Sequence, residues 1–518
     1  MRMKLMCLLI CMLLLPGLAM GEGVQRYSEE EQADLAKHFT SIAPTRGLKA
    51  YGYDTPVMTQ RFGADPWALV YDGRVYLYMT GDVLEHDRSG KVKENSYSQI
   101  NTLNVVSSAD LVNWTDHGWI AAAGKNGQSR WGNNSWAPAV ACKEIDGQMR
   151  FFVYFANGGN GIGVLTADSP TGPFTDPLGH ALISRSTPNC GNVTWLFDPA
   201  VLVDEDGSAY LYFGGGIPNG RAANPGTARV VKLGEDMISI DGKPQALDVP
   251  FLFEDSGINR IGDTYVYSYC TNWNVTAEGK RQYGFDNAQI AYMTSDSPMG
   301  PFTYKGVVLK NPGVYYGCYG NNHHSMFRFG DAWYIAWHSQ MLESPLGISG
   351  GYRSTNITRI RVDEENASIG LVNSAHRNDL EQVSWVDPYD WVEAETIGAM
   401  AGLETVRADP AVTCGNMLLT GIGTGDWLTV YGVDFGDGAA RFEVVANVPE
   451  GVSGMLQLRV DGMGNKGEII GYAALEPTGG EWQTVATELI APVSDVHDLV
   501  VRFDGEDYQI DRWRFVGQ

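Results

Sequence analysis

One pattern is written five times between residues 64 and 340: ADPWALVYDGRVYLYMTGD (64–82), WAPAVACKEIDGQMRFFVYFAN (136–157), FDPAVLVDEDGSAYLYFGGG (197–216), FEDSGINRIGDTYVYSYCTNW (253–273) and HHSMFRFGDAWYIAWHSQ (323–340). Each copy joins two strand-like runs, the second rich in aromatics, across a tight turn: YDGR, IDGQ, EDGS, IGDT and FGDA. Asp and Gly in that position are the chemistry of a β-hairpin. The copies open at Asp65, Trp136, Asp198, Glu254 and His323, a period of roughly 55 to 70 residues. Two further echoes, TADSPTGPFTD (166–176) and TSDSPMGPFTY (294–304), follow a hairpin as an outer strand and turn would. This repetition predicts a five-bladed β-propeller, which aims the start of every innermost strand at one central channel. Asp65, Asp198, Glu254 and His323 are thus expected to meet. Carboxylates and a histidine gathered in one pocket are the makings of a catalytic site.

Outside the repeats, short aromatic and β-branched runs alternate with Gly, Asp and Asn turns, so the class is all-β. The formal charge of −24 disfavours nucleic acid and anionic membrane as partners and suits an uncharged polysaccharide. Arg2 and Lys4 flank the apolar run LMCLLICMLLLPGLAM, and small residues follow at Ala19-Met20-Gly21. That is the signature of a signal peptide over 1–21, so a secreted or periplasmic protein is expected. No later segment is apolar for long enough to span a bilayer. Five cysteines remain, Cys142, Cys190, Cys270, Cys318 and Cys414, with no CxxC pair. Buried thiols are expected, and a bridge from Cys270 to Cys318 stays open.

The blade pattern occupies 46–375, after a leader over 22–45 that contains the helical stretch EEEQADLAKHF. A linker over 376–387, with no long low-complexity stretch, leads to a second unit, 388–518, that is expected to touch the first. Its pieces GDWLTVYGVDF, ARFEVVANV, SGMLQLRVDG, WQTVATELI, HDLVVRFDG and YQIDRWRF read as the strands of a β-sandwich of jelly-roll type.

The motifs Ala64-Asp65-Pro66, Asp198-Pro199-Ala200, Phe253-Glu254-Asp255-Ser256 and His323-His324-Ser325 resemble glycoside hydrolase family 43, five-bladed propellers that cleave glycosides with inversion. FEDSGINRIG followed by YSYCTNW is most similar to arabinoxylan-debranching and xylosidase members. The resemblance implies Asp65 as general base, Glu254 as general acid and Asp198 as the carboxylate that tunes and orients the acid. The chemistry agrees with that division, because inversion needs a base that activates water and an acid about 6.5–9.5 Å away. A neighbouring carboxylate raises the pKa of the acid and keeps it protonated. All three are read at one phase of the repeat.

The resemblance also implies that His323 lines the channel floor, where a calcium ion or ordered water is held, while strand alternation turns one of His323 and His324 away. Arg353, in GGYRSTNI, matches an arginine that donates to sugar hydroxyls; pairing with a channel carboxylate is its other reading. Trp136, in SWAPAV, is the candidate sugar platform, with Trp67 and Trp195 as rivals.

The second unit resembles carbohydrate-binding module family 6 through Val392-Glu393-Ala394-Glu395, Gly425-Asp426-Trp427, Trp482-Gln483-Thr484 and Asp511-Arg512-Trp513. This implies a structural calcium on Glu393, Glu395 and Asp511, hard oxygen donors suited to that ion. The stretch TGIGTGDW departs from the family: Gly421 and Ile422 stand where a ring is expected, leaving Trp482 to stack. The expected activity is release of α-L-arabinofuranose or β-xylose from hemicellulose, with no organic cofactor. A fructan-active hydrolase and a non-catalytic glycan-binding propeller are the alternatives. Because every candidate catalytic group precedes 375, the second unit is expected to be dispensable on small substrates.

Overall fold

The computed structural model describes residues 23–412, 414–464 and 467–517; the expected signal peptide lies outside them. The chain is almost wholly β. Five antiparallel sheets follow one another along the first two-thirds of the sequence. Their first strands are Ala64–Tyr71, Trp136–Ile145, Ala200–Val203, Leu252–Ile261 and His324–Phe329. Each of these strands packs on the next, and the fifth returns to pack on the first. Four of the sheets carry four strands of this region, and the fifth carries three.

The repeated turns fold as their composition requires. Asp72-Gly73 and Asp146-Gly147 both have two consecutive positive φ angles, +48° and +71°, then +52° and +76°. That geometry matches the right-handed twist of the flanking strands, and Asp-Gly adopts it at low cost. The two outer echoes also do one job: Tyr78 donates its hydroxyl to the Pro170 carbonyl, and Tyr212 to the Pro298 carbonyl, so each echo is tied to the sheet before it.

The last 130 residues form two packed sheets around a core that includes Phe435, Phe442, Phe503, Trp513 and Phe515. This unit does not hang free. Strand Thr396–Ile397 pairs with Trp114–Ala121 and becomes a fifth strand of the first sheet. Beside it, Arg407 lies 4.0 Å over the Trp119 ring, Thr405 donates to the buried Asp116 carboxylate at 2.7 Å, and Asn113 exchanges two hydrogen bonds with the Tyr431 backbone. The leader is equally committed. Ser28 and Glu31 form a reciprocal capping box on helix Glu29–Ser41. Phe39 is buried against Tyr472 of the sandwich, and Arg502 donates to the carbonyls of Phe39 and Ile42. All five cysteines are free thiols, so Cys270 and Cys318 are not bridged. No described helix is long and apolar enough to cross a membrane.

Candidate active site

The site is built on a local irregularity that the repeat conceals. The register slips between Ala64 and Trp67, between Trp136 and Ala139, and between Glu254 and Gly257, placing a bulge at the mouth of the first, second and fourth sheets. The second residue of each bulge is left-handed: Asp65 at +47°, Ala137 at +41° and Asp255 at +70°, with Asp198 at +48° in the third sheet. Asp65 and Asp198 therefore do share a phase, but their partner in the fourth sheet is Asp255. Glu254 stands one residue earlier, level with Ala64 and Trp136. The expectation of three carboxylates in phase fails at Glu254, because successive residues of a strand point to different sides.

Around the axis these groups meet in one network. Arg353 donates from Nη1 to Asp65 Oδ1 at 2.8 Å, and clasps Asp82 through Nε at 2.9 Å and Nη2 at 2.7 Å. The Asp65 backbone N and Oδ1 both lie against His338 Nδ1, at 3.0 and 3.2 Å, and His338 Nε2 is 3.1 Å from the Asn321 carbonyl. His323 Nε2 is 3.1 Å from Asp255 Oδ1, while its Nδ1 faces Asp65 at 3.5 Å and Asp198 at 3.8 Å. Asp198 Oδ2 accepts the backbone N–H of Asp255 at 2.9 Å. His324 is turned the other way and is fully buried, donating from Nδ1 to Asp255 and accepting from Ser268. Of the two adjacent histidines, His323 is the one that faces Asp65 and Asp198.

These contacts split the carboxylates by protonation state. Burial pushes the Asp65 carboxyl up, but the charge of Arg353, with His323 and His338, overcomes it and holds the group well below the usual carboxylate range. Glu254 moves the opposite way. Burial comes first, then the charges of Asp198, Asp65 and Asp255, with only a partial offset from Arg353. Asp198 is also raised, by burial and by Asp65. Between the two, the proton belongs to Glu254: Asp198 has a backbone N–H to stabilise its charge, whereas Glu254 Oε1 is buried with no hydrogen-bond partner among the described residues. An ionised Asp65 and a protonated Glu254 close enough to feel each other's charge are a base and an acid ready for use.

Glu254 opens into a cavity of about 750 Å³ whose wall also includes Tyr97, Phe253, Trp273, Asn321 and Gly350. Trp136 is not on that wall; it meets the Tyr97 ring edge-on and donates Nε1 to the Tyr97 carbonyl. Trp67 is core, and Trp195 packs between Phe197 and Phe253. Arg353 follows its second reading, with its donors held by Asp65 and Asp82 and its plane 5.0 Å from the Tyr97 centroid. Sequence reasoning passed over Asp82, Asp255, His338, Tyr97 and Trp273. Asp82 had a signal, since the first repeat alone ends its returning strand in Gly-Asp.

The residues expected to hold calcium lie in two places. Both ring nitrogens of His323 face carboxylate oxygens of Asp255, Asp65 and Asp198 at 3.1–3.8 Å. In the sandwich, Oε2 of Glu393 and Oε2 of Glu395 are both buried without partners. Burial pushes Glu395 up to about 9, and burial with the Asp511 charge raises Glu393. Unsatisfied carboxylate oxygens beside a third carboxylate fit a hard cation, although among the described residues no three acidic groups are spaced as a finished metal shell.

At the expected sugar cleft of the sandwich, the leader covers the Gly425-Asp426-Trp427 motif. Trp427 is buried and donates Nε1 to the Thr45 carbonyl, and Thr45 donates its hydroxyl to Asp426. Gly421 has a φ of +65°, and a Cβ there would lie 3.0 Å from the Glu404 side chain, so a ring at this position would strain the backbone and displace Glu404. Trp482 is exposed.

Comparison with known proteins places this architecture. Residues 53–367 match the profile of Glycosyl hydrolases family 43, and residues 393–517 match Carbohydrate binding module (family 6). An arabinoxylan arabinofuranohydrolase of Paenibacillus polymyxa is 46% identical over 489 residues, covering 90% of this chain and 75% of that protein. The enzyme of the same name from Bacillus subtilis (strain 168) is 43% identical over 487 residues, covering 90% of this chain and 93% of its own. A crystal structure of a family 43 arabinoxylan arabinofuranohydrolase from Bacillus subtilis, in complex with cellotetraose, superposes with a TM-score of 0.85 at 42% identity, over 93% of this chain and all of that one. The chain is a glycoside hydrolase, and it belongs to family 43.

Proposed function

We propose that this enzyme removes α-L-arabinofuranosyl side chains from arabinoxylan with inversion. The observation that carries the reading is the unequal pairing of two buried carboxylates: Asp65 is held on Arg353 at 2.8 Å, while Glu254, on the cavity wall, has its Oε1 buried with no hydrogen-bond partner among the described residues. Asp65 takes a proton from a water molecule. That water attacks the anomeric carbon on the face opposite the leaving group, while Glu254 gives its proton to the departing oxygen. One bond forms as one breaks, and the sugar leaves with inverted configuration. Asp198 raises the pKa of Glu254 by like charge, and the backbone N–H of Asp255 holds Asp198 in place. The substrate class is supported by the two arabinoxylan arabinofuranohydrolases whose lengths this chain largely covers.

In the same reading, the five sheets are the blades of a propeller whose first and fifth inner strands close the ring. Glu393, Glu395 and Asp511 hold calcium, which supplies the positive charge that their buried oxygens lack. Residues 1–21 direct export. Digestion of arabinoxylan with analysis of the released sugars tests the central assignment. Free arabinose over an intact xylan backbone is expected. Xylose as the main product makes the enzyme a β-xylosidase, and release of fructose from fructan with no action on arabinoxylan makes it a fructanase. No release from any of these glycans leaves the non-catalytic binding propeller.

A further inference from the structure

We propose that Trp273 is the platform on which the polymer backbone rests while its side-chain sugar is cleaved. This rests on the reading of the cavity as the arabinofuranosidase site. Three of the rings named on the cavity wall differ in what their faces do. Tyr97 has its face beneath the Arg353 guanidinium, and Phe253 packs against Trp195. Trp273 has no aromatic or guanidinium partner among the described residues and is 42% exposed. Leaving so large an apolar ring in water forfeits the burial that normally places tryptophan inside.

The turn that carries the ring is pinned. Asn272, fully buried, donates Nδ2 to the Ala222 carbonyl at 2.9 Å and its backbone N–H to the Phe251 carbonyl at 2.7 Å, and it accepts the Asn274 N–H at 2.9 Å. A flat, exposed face on a pinned turn is in place for stacking, since no backbone ordering is left to be lost on binding.

Its place in the chain says which sugar it meets. Glu254 lies on strand Leu252–Ile261, and Trp273 follows the hairpin partner Thr264–Thr271, with Leu252 opposite Thr271. Acid and ring therefore stand at the mouth of one hairpin, on the side where the leaving oxygen is protonated. The leaving group on that side is the xylan backbone, whose C–H faces suit an indole. Lys91, Glu94 and Ser349, elsewhere on the cavity wall, are polar.

The test compares Trp273→Ala and Trp273→Phe with the parent, all as full chains, on arabinoxylan and on methyl α-L-arabinofuranoside, whose leaving group offers nothing to stack. Trp273→Ala is expected to lower kcat/KM on arabinoxylan about tenfold or more, as loss of one stacked ring does. It should leave the methyl glycoside within about twofold, and Trp273→Phe should restore most of the polymer activity. Trp385→Ala, removing an exposed ring of the linker, is the control and should change neither rate. Equal loss on both substrates overturns the platform and makes Trp273 part of the pocket for the cleaved sugar or of the fold. No loss on arabinoxylan overturns it outright. A parent enzyme that is active on arabinoxylan keeps the function standing when the platform fails, whereas an inert parent removes the function and the platform together.

Discussion

Replacing Arg353 with methionine removes the cation that makes Asp65 a base, and the structure says how much should follow. Arg353 is 4% exposed and gives three side-chain hydrogen bonds to two carboxylates that are themselves buried. Breaking a buried ion pair from one side costs about 3–5 kcal/mol, because the remaining charge has neither partner nor water. That is a large share of the roughly 5–15 kcal/mol that holds a domain folded, so the thermal midpoint should fall sharply. The catalytic consequence is more specific. With Arg353 gone, the largest remaining influence on Asp65 is burial, which raises its pKa. The carboxyl takes up a proton within the assay range and ceases to accept one from water. General-base catalysis is worth roughly 10²–10⁴-fold, which sets the expected loss in kcat/KM near neutral pH. The sign of the pH effect follows. Asp65 in the parent is held below its ordinary value of 3.8, so it stays ionised, and the stability it contributes is lost only as pH falls through its folded value. In Arg353→Met the acid limb of the kcat/KM profile should move upward, and activity should recover as pH rises. Arg353→Lys keeps the charge but not the two-pronged grip, and should lie between. An unmoved acid limb in an active Arg353→Met enzyme would refute the reasoning.

Three further outcomes are expected. Glu254→Gln should nearly abolish release from arabinoxylan while sparing aryl arabinofuranosides with good leaving groups, which need less protonation; equal rates with the parent on both would remove Glu254 as the acid. Truncation before residue 388 should lower activity on small aryl glycosides by more than tenfold or leave the chain insoluble, because it strips Thr396–Ile397 from the first sheet and Arg407 from Trp119; a truncated chain with full small-substrate activity would restore the detachable module that the sequence suggested. Chelation should lower the melting temperature of the sandwich, and Glu395→Gln should abolish that difference, as seen by calorimetry with and without calcium; a melt indifferent to chelator would leave Glu393 and Glu395 as neutral buried acids.

How much of this was legible beforehand differs from place to place. The hairpins were, because Asp-Gly turns between aromatic strands specify a local geometry that each repeat writes out in full. Convergence of Asp65, Asp198, Glu254 and His323 followed from topology alone. The phase of Glu254 did not, since a bulge adds a residue without leaving a mark in composition, and Glu254-Asp255 offers two acids to align with one. Arg353 and Asp82 are 271 residues apart, and nothing in either neighbourhood announces the pair. That the two units touch follows from a linker with no long low-complexity stretch, but the strand they share was hidden for a similar reason. Strand Thr396–Ile397 is two residues long, too short for any pattern, yet it decides that the sandwich braces the first sheet. The cover over the Gly425-Asp426-Trp427 motif depends on Thr45 reaching Asp426, a contact no local rule foresees.

The most direct measurement is the configuration of the first sugar released. Proton NMR of an arabinoxylan digest, recorded before mutarotation, should show β-L-arabinofuranose appearing first, as one-step attack by a water held on Asp65 requires. The α-anomer as first product would contradict the account, because it would make Asp65 a nucleophile and the reaction a double displacement.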